Sequence, residues 1–159
     1  MMKDTTLLFF IKKDVSSESI ASLCLAMKKR GFGEGLWNGV GGKVEKGESI
    51  ESAACREAHE EVGTICKEKD LIKVAELTFY FEDKEEWNQK VHVFFSSVFS
   101  DSFVETEEMA PAWFPVSSIP YEKMWEDDVL WLPKVLHGEK VTASFTFGKD
   151  GKIKNYTFE

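Results

Sequence analysis

Positions 31–64 read GFGEGLWNGVGGKVEKGESIESAACREAHEEVGT. The first half holds seven of the chain's eleven glycines, from Gly31 to Gly47, which is too many for the interior of a helix or strand. The second half has no glycine or proline between Ser49 and Gly63, and serine is a favoured residue before the first turn of a helix. The stretch therefore predicts a flexible glycine loop that runs into a helix of about four turns, which ends at Gly63.

Three carboxylates share one face of this predicted helix. Glu57, Glu60 and Glu61 stand at i, i+3 and i+4, within an arc of about 100°. Like charges at this spacing destabilise a helix, whereas a bound divalent cation would remove the repulsion. Oxygen ligands suit Mg²⁺, with Mn²⁺ as the alternative, and either ion also takes phosphate oxygens. The competing interpretation is an acidic face that is simply solvated.

Composition excludes several classes of protein. A formal net charge of -8 argues against binding a nucleic acid polymer through its phosphates. The apolar run Leu7–Ile11 is too short for a signal peptide or a membrane span. Three cysteines (Cys24, Cys55 and Cys66), without a CxxC pair, are typical of reduced thiols. We expect one domain over residues 1–159, monomeric and cytoplasmic, with no membrane or nucleic acid partner.

Hydrophobic patterns predict the remaining elements of the fold. Strands are predicted at 5–13, 22–28, 71–82, 90–99, 112–114, 142–147 and 153–158. A second helix is predicted at 127–136, with a kink or a different start at Pro133. The sequence GKDG between the last two strands predicts a hairpin turn.

The spacing around the carboxylates resembles the signature of a known family. The pattern runs from Gly42 over five residues to Glu48, and over seven more to REAHEEVGT at 56–64. It is similar to Gx5Ex7REUxEExGU, the signature of the Nudix hydrolases, where U is a bulky apolar residue. All seven fixed positions are present, while Ala58 and Thr64 are smaller or more polar than U. The resemblance implies the α/β Nudix fold, a mixed β-sheet sandwiched between helices (α/β/α). It also implies hydrolysis of a nucleoside diphosphate linked to another group.

Further segments resemble one branch of that family, the MutT homologues that hydrolyse oxidised purine nucleoside triphosphates. These segments are MKKRGFG at 27–33, WNGVGGKV at 37–44, VHVF at 91–94, EMAPAWF at 108–114 and MWEDD at 124–128. The resemblance implies an Mg²⁺-dependent enzyme that releases a monophosphate and pyrophosphate from nucleotides such as 8-oxo-dGTP and 2-hydroxy-dATP. Two alternatives stay open: another Nudix substrate, such as a dinucleoside polyphosphate or ADP-ribose, and a Nudix module that senses a nucleotide without cleaving it.

The same resemblance implies roles for particular residues. The implied metal ligands are Glu57, Glu60, Glu61, Glu108 and the backbone carbonyl of Gly41. The implied catalytic residues are Arg56, Glu57, Glu60 and Glu61, with Glu61 preferred as general base and Glu108 as the alternative. Contacts to phosphate are implied for Lys28 and for the backbone of Val40, Gly41, Gly42 and Lys43. The implied base pocket consists of Thr6, Phe32, Asn38, Phe79, Trp125, Glu126, Asp127 and Asp128.

The residues themselves allow two interpretations of the predicted pocket. Asp127 and Asp128 suit the first turn of a helix, but if buried beside Trp125 one could be protonated and donate while the other accepts. The only dense basic cluster, KKR at 28–30, is the best candidate to meet a triphosphate, and the alternative interpretation is three solvated loop charges. The wall contributed by residues 87–89 (WNQ) cannot be assigned from the sequence.

Overall fold

The computed structural model describes residues 2–159. Its strands are β1 (Lys3–Lys13), β2 (Ile20–Lys28), β3 (Trp37–Asn38), β4 (Ile72–Phe81), β5 (Gln89–Ser96), β6 (Met109–Pro115), β7 (Val141–Phe147) and β8 (Ile153–Phe158). Its α-helices are α1 (Ile50–Val62) and α2 (Asp128–Leu136). Single 3-10 turns lie at Glu68–Asp70, Glu85–Trp87, Val116–Ser118 and Tyr121–Lys123.

The eight strands form one mixed sheet. The order is β3-β2-β1-β5-β4-β7-β8, and β6 also pairs with β2. The pairs β1 with β5 and β4 with β7 are parallel, and the other pairs are antiparallel. The predicted mixed sheet is confirmed.

Helices cover both faces of this sheet. Successive side chains of a strand point to opposite faces. In β1, Phe9 packs in a core cluster that includes Trp131 of α2, whereas Leu8 and Phe10 pack with Ala58 of α1. The helix, sheet, helix layering implied by the sequence is therefore confirmed, and the two cores lie on either side of β1.

The predicted boundaries of α1 are confirmed. The Ser49 hydroxyl accepts a hydrogen bond from the Ser52 backbone N–H at 3.1 Å, and Gly63 follows the helix with a left-handed φ of 78°. Ala54 and Ala58 are fully buried, so α1 lies close to the sheet on its small-residue side. This packing turns the adjoining carboxylate face towards the glycine loop.

The glycine loop is ordered where it precedes α1, contrary to the expectation of a flexible segment. Leu8 and Val40 exchange two backbone hydrogen bonds, of 2.6 and 3.0 Å, and the Thr6 N–H donates to the Gly42 carbonyl at 2.9 Å. A Cβ at position 41 would lie 1.9 Å from the Thr6 carbonyl oxygen, so only Gly41 lets the chain lie this close to β1. The prediction of flexibility is wrong for residues 39–44, because local composition does not show this pairing.

Two of the predicted elements contain prolines, and β6 is longer than predicted while α2 keeps its predicted extent. β6 spans Met109–Pro115 rather than three residues, and it pairs with β2 alone, as an edge strand that tolerates proline. Pro133 lies inside α2, which continues through it to Leu136. Neither α-helix of the described chain is long and apolar enough to cross a membrane.

Candidate active site

A cavity of about 620 Å³ opens beside β1 and brings most of the predicted site together. We call it the main cavity. The predicted site residues that line it are Thr6, Lys28, Phe32, Asn38, Gly41, Gly42, Glu61, Phe79, Trp125, Asp127 and Asp128. The cavity therefore connects the carboxylate face of α1 with the start of α2. Glu61 and Asp127, which represent these two ends, are 66 positions apart in the sequence.

Glu61 is the carboxylate of α1 that lines the main cavity. Its Oε1 accepts a hydrogen bond from the Gly41 backbone N–H at 3.0 Å. Burial raises the pKa of Glu61 to about 8, the Gly41 hydrogen bond opposes this, and the charge of Glu57 adds to the rise. Positive charge near Glu61 would favour its ionised form, and Lys28 acts in that direction.

Arg56 organises the other acidic residues around α1. Its Nε lies 2.8 Å from Glu48, and its Nη1 lies 3.0 Å from Glu57 and 3.3 Å from Glu60. Its Nη2 donates to the Lys43 carbonyl at 3.1 Å, which joins the helix to the loop. Arg56 does not line the main cavity, and its contacts are with the surrounding carboxylates and the loop.

Glu57 lies directly against the glycine loop. A Cβ built at position 42 would lie 2.6 Å from the Glu57 carboxylate carbon. A larger residue at position 42 would force that carboxylate to shift, so Gly42 lets Glu57 lie against the loop in the position observed.

The predicted basic cluster is divided by ion pairs. Arg30 binds Glu108 through Nη2 and Nε, at 2.6 and 3.0 Å, and Lys29 pairs with Glu105 at 2.5 Å. Lys28 alone of the three lines the main cavity. Of the three residues that were expected to meet a triphosphate, Lys28 is therefore the one that the structure places at the cavity.

The acidic residues suit a hard divalent cation in their donor chemistry. Within residues 2–159, no three His, Cys, Asp or Glu side chains converge closely enough to hold an ion as they stand. Glu57 and Glu60 are instead turned to Arg56, and Glu108 to Arg30. All the predicted donors are oxygens, and the crowded, buried carboxylate of Glu61 is the kind of group that a cation stabilises.

Two buried aspartates form the opposite end of the main cavity. Asp127 and Asp128 are 4% and 2% exposed. Asp127 Oδ2 accepts from the Trp131 indole N–H at 2.8 Å and makes no hydrogen bond to the backbone of α2, so it does not act as a helix cap. Asp128 Oδ2 is buried and has no hydrogen-bond partner among the described residues.

Burial raises the pKa of both aspartates. Burial raises the pKa of Asp127 to about 6, while its hydrogen bond from Trp131 opposes the rise. Burial raises the pKa of Asp128 well above its ordinary value, and the neighbouring charge of Asp127 adds to this. A carboxyl pair with raised pKa values can supply a protonated donor beside an acceptor, and it faces a pocket with both aromatic and polar walls.

Aromatic rings form the walls of this pocket. The Phe32 ring centroid lies 5.2 Å from that of Trp125 and 5.4 Å from that of Trp87. Trp87 also contacts Phe81 at 5.7 Å, edge to face, and Lys84 Nζ lies 4.1 Å from the centre of a Trp87 ring. Flat walls of this kind accept a planar base.

The wall that the sequence left unassigned is now defined. Trp87 and Gln89 line the main cavity, whereas Asn88 accepts a hydrogen bond from the Phe81 backbone N–H at 2.7 Å. Lys84, Phe81, Phe147 and the turn at 148–151 also line the cavity and were not predicted. The alternation of Phe79 and Phe81 in β4, which puts both on one face, is the sequence signal that could have found Phe81.

Three predicted contact residues lie outside the main cavity. Val40 is buried and both its backbone groups bind Leu8, so its N–H is not available to a phosphate. The Lys43 side chain is exposed. Glu126 turns away and accepts a hydrogen bond from the Ile153 backbone N–H at 3.2 Å.

A carboxylate-bearing helix beside a glycine loop, on a mixed sheet covered by helices, defines a class of hydrolase. Residues 15–135 match the family model of the NUDIX domain, and the chain belongs to the Nudix family. It is an enzyme of that family, which generally uses divalent metal ions, and its substrate is a small molecule.

Particular relatives narrow the resemblance. The chain is 43% identical over 123 residues to an oxidized purine nucleoside triphosphate hydrolase of Danio rerio. The aligned region covers 77% of each protein. It is 41% identical over 133 residues to the enzyme of that name from Mus musculus, which covers 84% of this chain and 83% of the mouse protein.

Solved structures share the fold. A MutT protein from Bacillus halodurans superposes with a TM-score of 0.82 at 21% identity, covering 99% of this chain and 98% of that one. A UDP-X diphosphatase superposes with a TM-score of 0.63 at 18% identity, covering 89% and 67%. Because the two neighbours are named for different activities, the fold alone does not choose the substrate.

Proposed function

We propose that this chain is an Mg²⁺-dependent nucleoside triphosphate pyrophosphohydrolase that acts on oxidised purine nucleotides and so cleans the nucleotide pool. It would convert nucleotides of the 8-oxo-dGTP and 2-hydroxy-dATP type to the monophosphate and pyrophosphate. The single observation that carries this proposal is the main cavity, which joins Glu61 at one end to the buried pair Asp127 and Asp128 at the other. The names of the relatives from Danio rerio and Mus musculus support the same substrate class.

The aspartate pair would read the edge of the base. A protonated Asp128 can donate to a ring nitrogen or carbonyl, and an ionised Asp127 can accept from a ring N–H or an exocyclic amine. Oxidation of a purine changes its pattern of donors and acceptors, since an 8-oxo group turns an acceptor nitrogen into an N–H donor. The unpartnered Asp128 Oδ2 supports this role, because a buried polar atom without a partner in the protein gains from one supplied by a ligand.

The aromatic wall would hold the plane of the base. Phe32, Phe79, Trp87 and Trp125 line the main cavity near the aspartates, and Asn38 and Gln89 add amide groups. Stacking supplies affinity without choosing between purines. Discrimination would therefore come from the aspartates.

The opposite end would hold the triphosphate. Lys28 is the cation of the 28–30 cluster that faces the main cavity, and Gly41 and Gly42 bring backbone close to it. Glu57, Glu60, Glu61, Glu108 and the Gly41 carbonyl would hold Mg²⁺, or Mn²⁺ as the alternative. The bound ion supplies charge neutralisation on phosphate and an acidified water.

Glu61 would act as general base, since it is the one of these carboxylates that lines the main cavity. Glu108 is the alternative base, but it lies on the protein surface and is bound to Arg30. Arg56 would hold Glu48, Glu57 and Glu60 in place from outside the cavity.

We further propose a single Nudix domain over residues 1–159, of which residue 1 lies outside the described part. A monomer in the cytoplasm, without a nucleic acid polymer or membrane as partner, agrees with the net charge of -8 and with three cysteines that form no disulfide in the described structure.

The test is pyrophosphate release in Mg²⁺ over a panel of 8-oxo-dGTP, 2-hydroxy-dATP, dGTP and ADP-ribose. We expect the two oxidised nucleotides to be preferred. Preference for ADP-ribose would refute the substrate assignment, and binding without release would favour a sensing module.

The role of Glu61 is tested by Glu61→Gln. Turnover should fall by orders of magnitude while nucleotide binding persists, because the amide cannot take a proton. Glu51→Gln, an exposed position in the first turn of α1, is the matched control and should keep its turnover. Near-normal turnover of Glu61→Gln would end the assignment.

A further inference from the structure

Two of the three cysteines lie side by side next to the carboxylate helix. Cys55 is in α1 and Cys66 is in the segment that follows it, and their sulfur atoms are 3.2 Å apart. Both side chains are partly buried, and both are free thiols. Cys24, the third thiol, is buried in β2.

The fold holds the segment around Cys66 in place. The Thr64 hydroxyl donates to the Ser100 carbonyl at 2.7 Å, and the Ile65 N–H donates to the Ser100 hydroxyl at 2.8 Å. Beyond Cys66, the Ser49 hydroxyl, which caps the N-terminus of α1, donates to Glu68 at 3.0 Å. The two sulfurs are thus brought together by hydrogen bonds on both sides of Cys66.

The remaining distance to a covalent bond is small. A disulfide has a sulfur to sulfur distance of about 2.05 Å, so the two atoms need to approach by about 1.2 Å. Rotation about side-chain torsions moves sulfur atoms over distances of this size.

We propose that Cys55 and Cys66 form a reversible intramolecular disulfide, a redox modification site that fastens the carboxylate helix to the segment after it. The oxidant is a low-molecular-weight disulfide. One cysteine attacks it as the thiolate, forms a mixed disulfide and releases one small thiol. The second cysteine then displaces the other small thiol. Two protein thiols lose two hydrogens, one S–S bond forms in the protein, one breaks in the oxidant, and two small thiols result.

The crosslink would lie away from the carboxylate face. At about 100° per residue, Cys55 points about 160° from Glu57, about 140° from Glu60 and about 120° from Glu61 around the axis of α1. The disulfide would therefore tether the helix without meeting the carboxylates. A 12-residue loop closed in this way also restricts the unfolded chain, so the oxidised protein should be harder to unfold.

The experiment treats the full chain with oxidised glutathione, blocks the remaining thiols and digests the protein with trypsin. Cleavage after Lys46, Arg56 and Lys67 separates the two cysteines into peptides 47–56 and 57–67, while Cys24 falls in peptide 14–28. We expect peptides 47–56 and 57–67 joined, at their summed mass less two hydrogens, and separated again by dithiothreitol. The proposal would be overturned if the joined peptide is missing and the products are glutathione adducts, links to peptide 14–28 or links between chains.

Thermal unfolding gives a second measurement. The oxidised chain should melt roughly 5–10 °C above the reduced chain. Cys55→Ser and Cys66→Ser should lose both the joined peptide and this difference, whereas Cys24→Ser should keep both. A joined peptide without any rise in melting temperature would overturn the fastening of the helix.

Discussion

Replacing Asp127 by asparagine tests whether the buried aspartates are held at a cost in stability. The variant keeps the shape of the side chain and an oxygen that can accept from the Trp131 indole N–H. It removes the ionisable carboxyl, whose pKa burial raises from the ordinary 3.8 to about 6. The pH dependence of unfolding should change accordingly.

The direction in which the free energy of unfolding changes with pH follows from proton binding. Because the pKa of Asp127 is higher in the folded protein than in the unfolded chain, the folded protein binds more protons between pH 3.8 and about 6. The free energy of unfolding therefore falls as the pH rises through this window. The destabilisation is fully present above the folded pKa and disappears below the unfolded one.

The magnitude can be worked from the two values. A pKa raised from 3.8 to about 6 lowers the free energy of unfolding by about 3 kcal/mol near pH 8. Near pH 4.5 the same shift lowers it by about 1 kcal/mol. Relative to the unmodified chain, Asp127→Asn should gain about 2 kcal/mol more near pH 8 than near pH 4.5. In a chain of this length, a gain of about 3 kcal/mol raises the melting temperature by roughly 6–12 °C.

The assay is urea unfolding of both chains near pH 4.5 and near pH 8, with Asp101→Asn, an exposed loop aspartate, as the matched control. Any contact that the amide gains or loses is nearly the same at both pH values, so the difference between them reports the proton linkage of the aspartate pair, to which Asp128 adds in the same direction because the loss of the Asp127 charge lowers its pKa. We expect the variant to be more stable near pH 8 and poorer in discriminating oxidised from normal purines. Equal gains at the two pH values would refute the assignment of a raised pKa.

Three further substitutions test the rest of the site. Gly42→Ala should lower turnover by about 100-fold with little change in the free energy of unfolding, because the new Cβ would lie 2.6 Å from the Glu57 carboxylate carbon; normal turnover would contradict the need for that close approach. Trp87→Ala should raise KM for an oxidised purine nucleotide by roughly tenfold at constant kcat, since the wall beside Phe32 is lost, and Trp87→Phe should recover most of it; an unchanged KM would show that no base stacks there. Arg56→Lys should raise the Mg²⁺ concentration needed for half-maximal turnover by about tenfold. The reason is that an ammonium cannot replace a guanidinium that contacts several carboxylates at once. An unaltered Mg²⁺ titration would exclude this positioning role.

The local parts of the site were predictable because they depend on residues that are close in sequence. The boundaries of α1 follow from Ser49 and Gly63, and the shared face of the carboxylates follows from helical periodicity. The layering of helices on both faces of the sheet was implied by the family resemblance, and the continuous apolar run of β1 is buried on both of those faces.

The parts that were wrong or missing depend on partners far apart in sequence. The composition of the glycine loop suggests flexibility, but its hydrogen bonds to β1 fix it. The charges of Lys29 and Arg30 suggest contact with phosphate, but acidic residues more than 70 positions away hold them. Neither partner can be recognised from the local pattern.

The sequence by itself determined the family chemistry of this protein: a carboxylate helix, a loop with glycine at the required spacing and a mixed sheet to carry them. The tertiary structure alone decided the walls of the main cavity. Gln89 joins the wall through pairing of β1 with β5, where the Thr5 hydroxyl donates to its side chain across 84 positions of sequence. The pKa values of Asp127 and Asp128 are raised because packing removes water from them, and burial is a property of the whole fold rather than of any short segment.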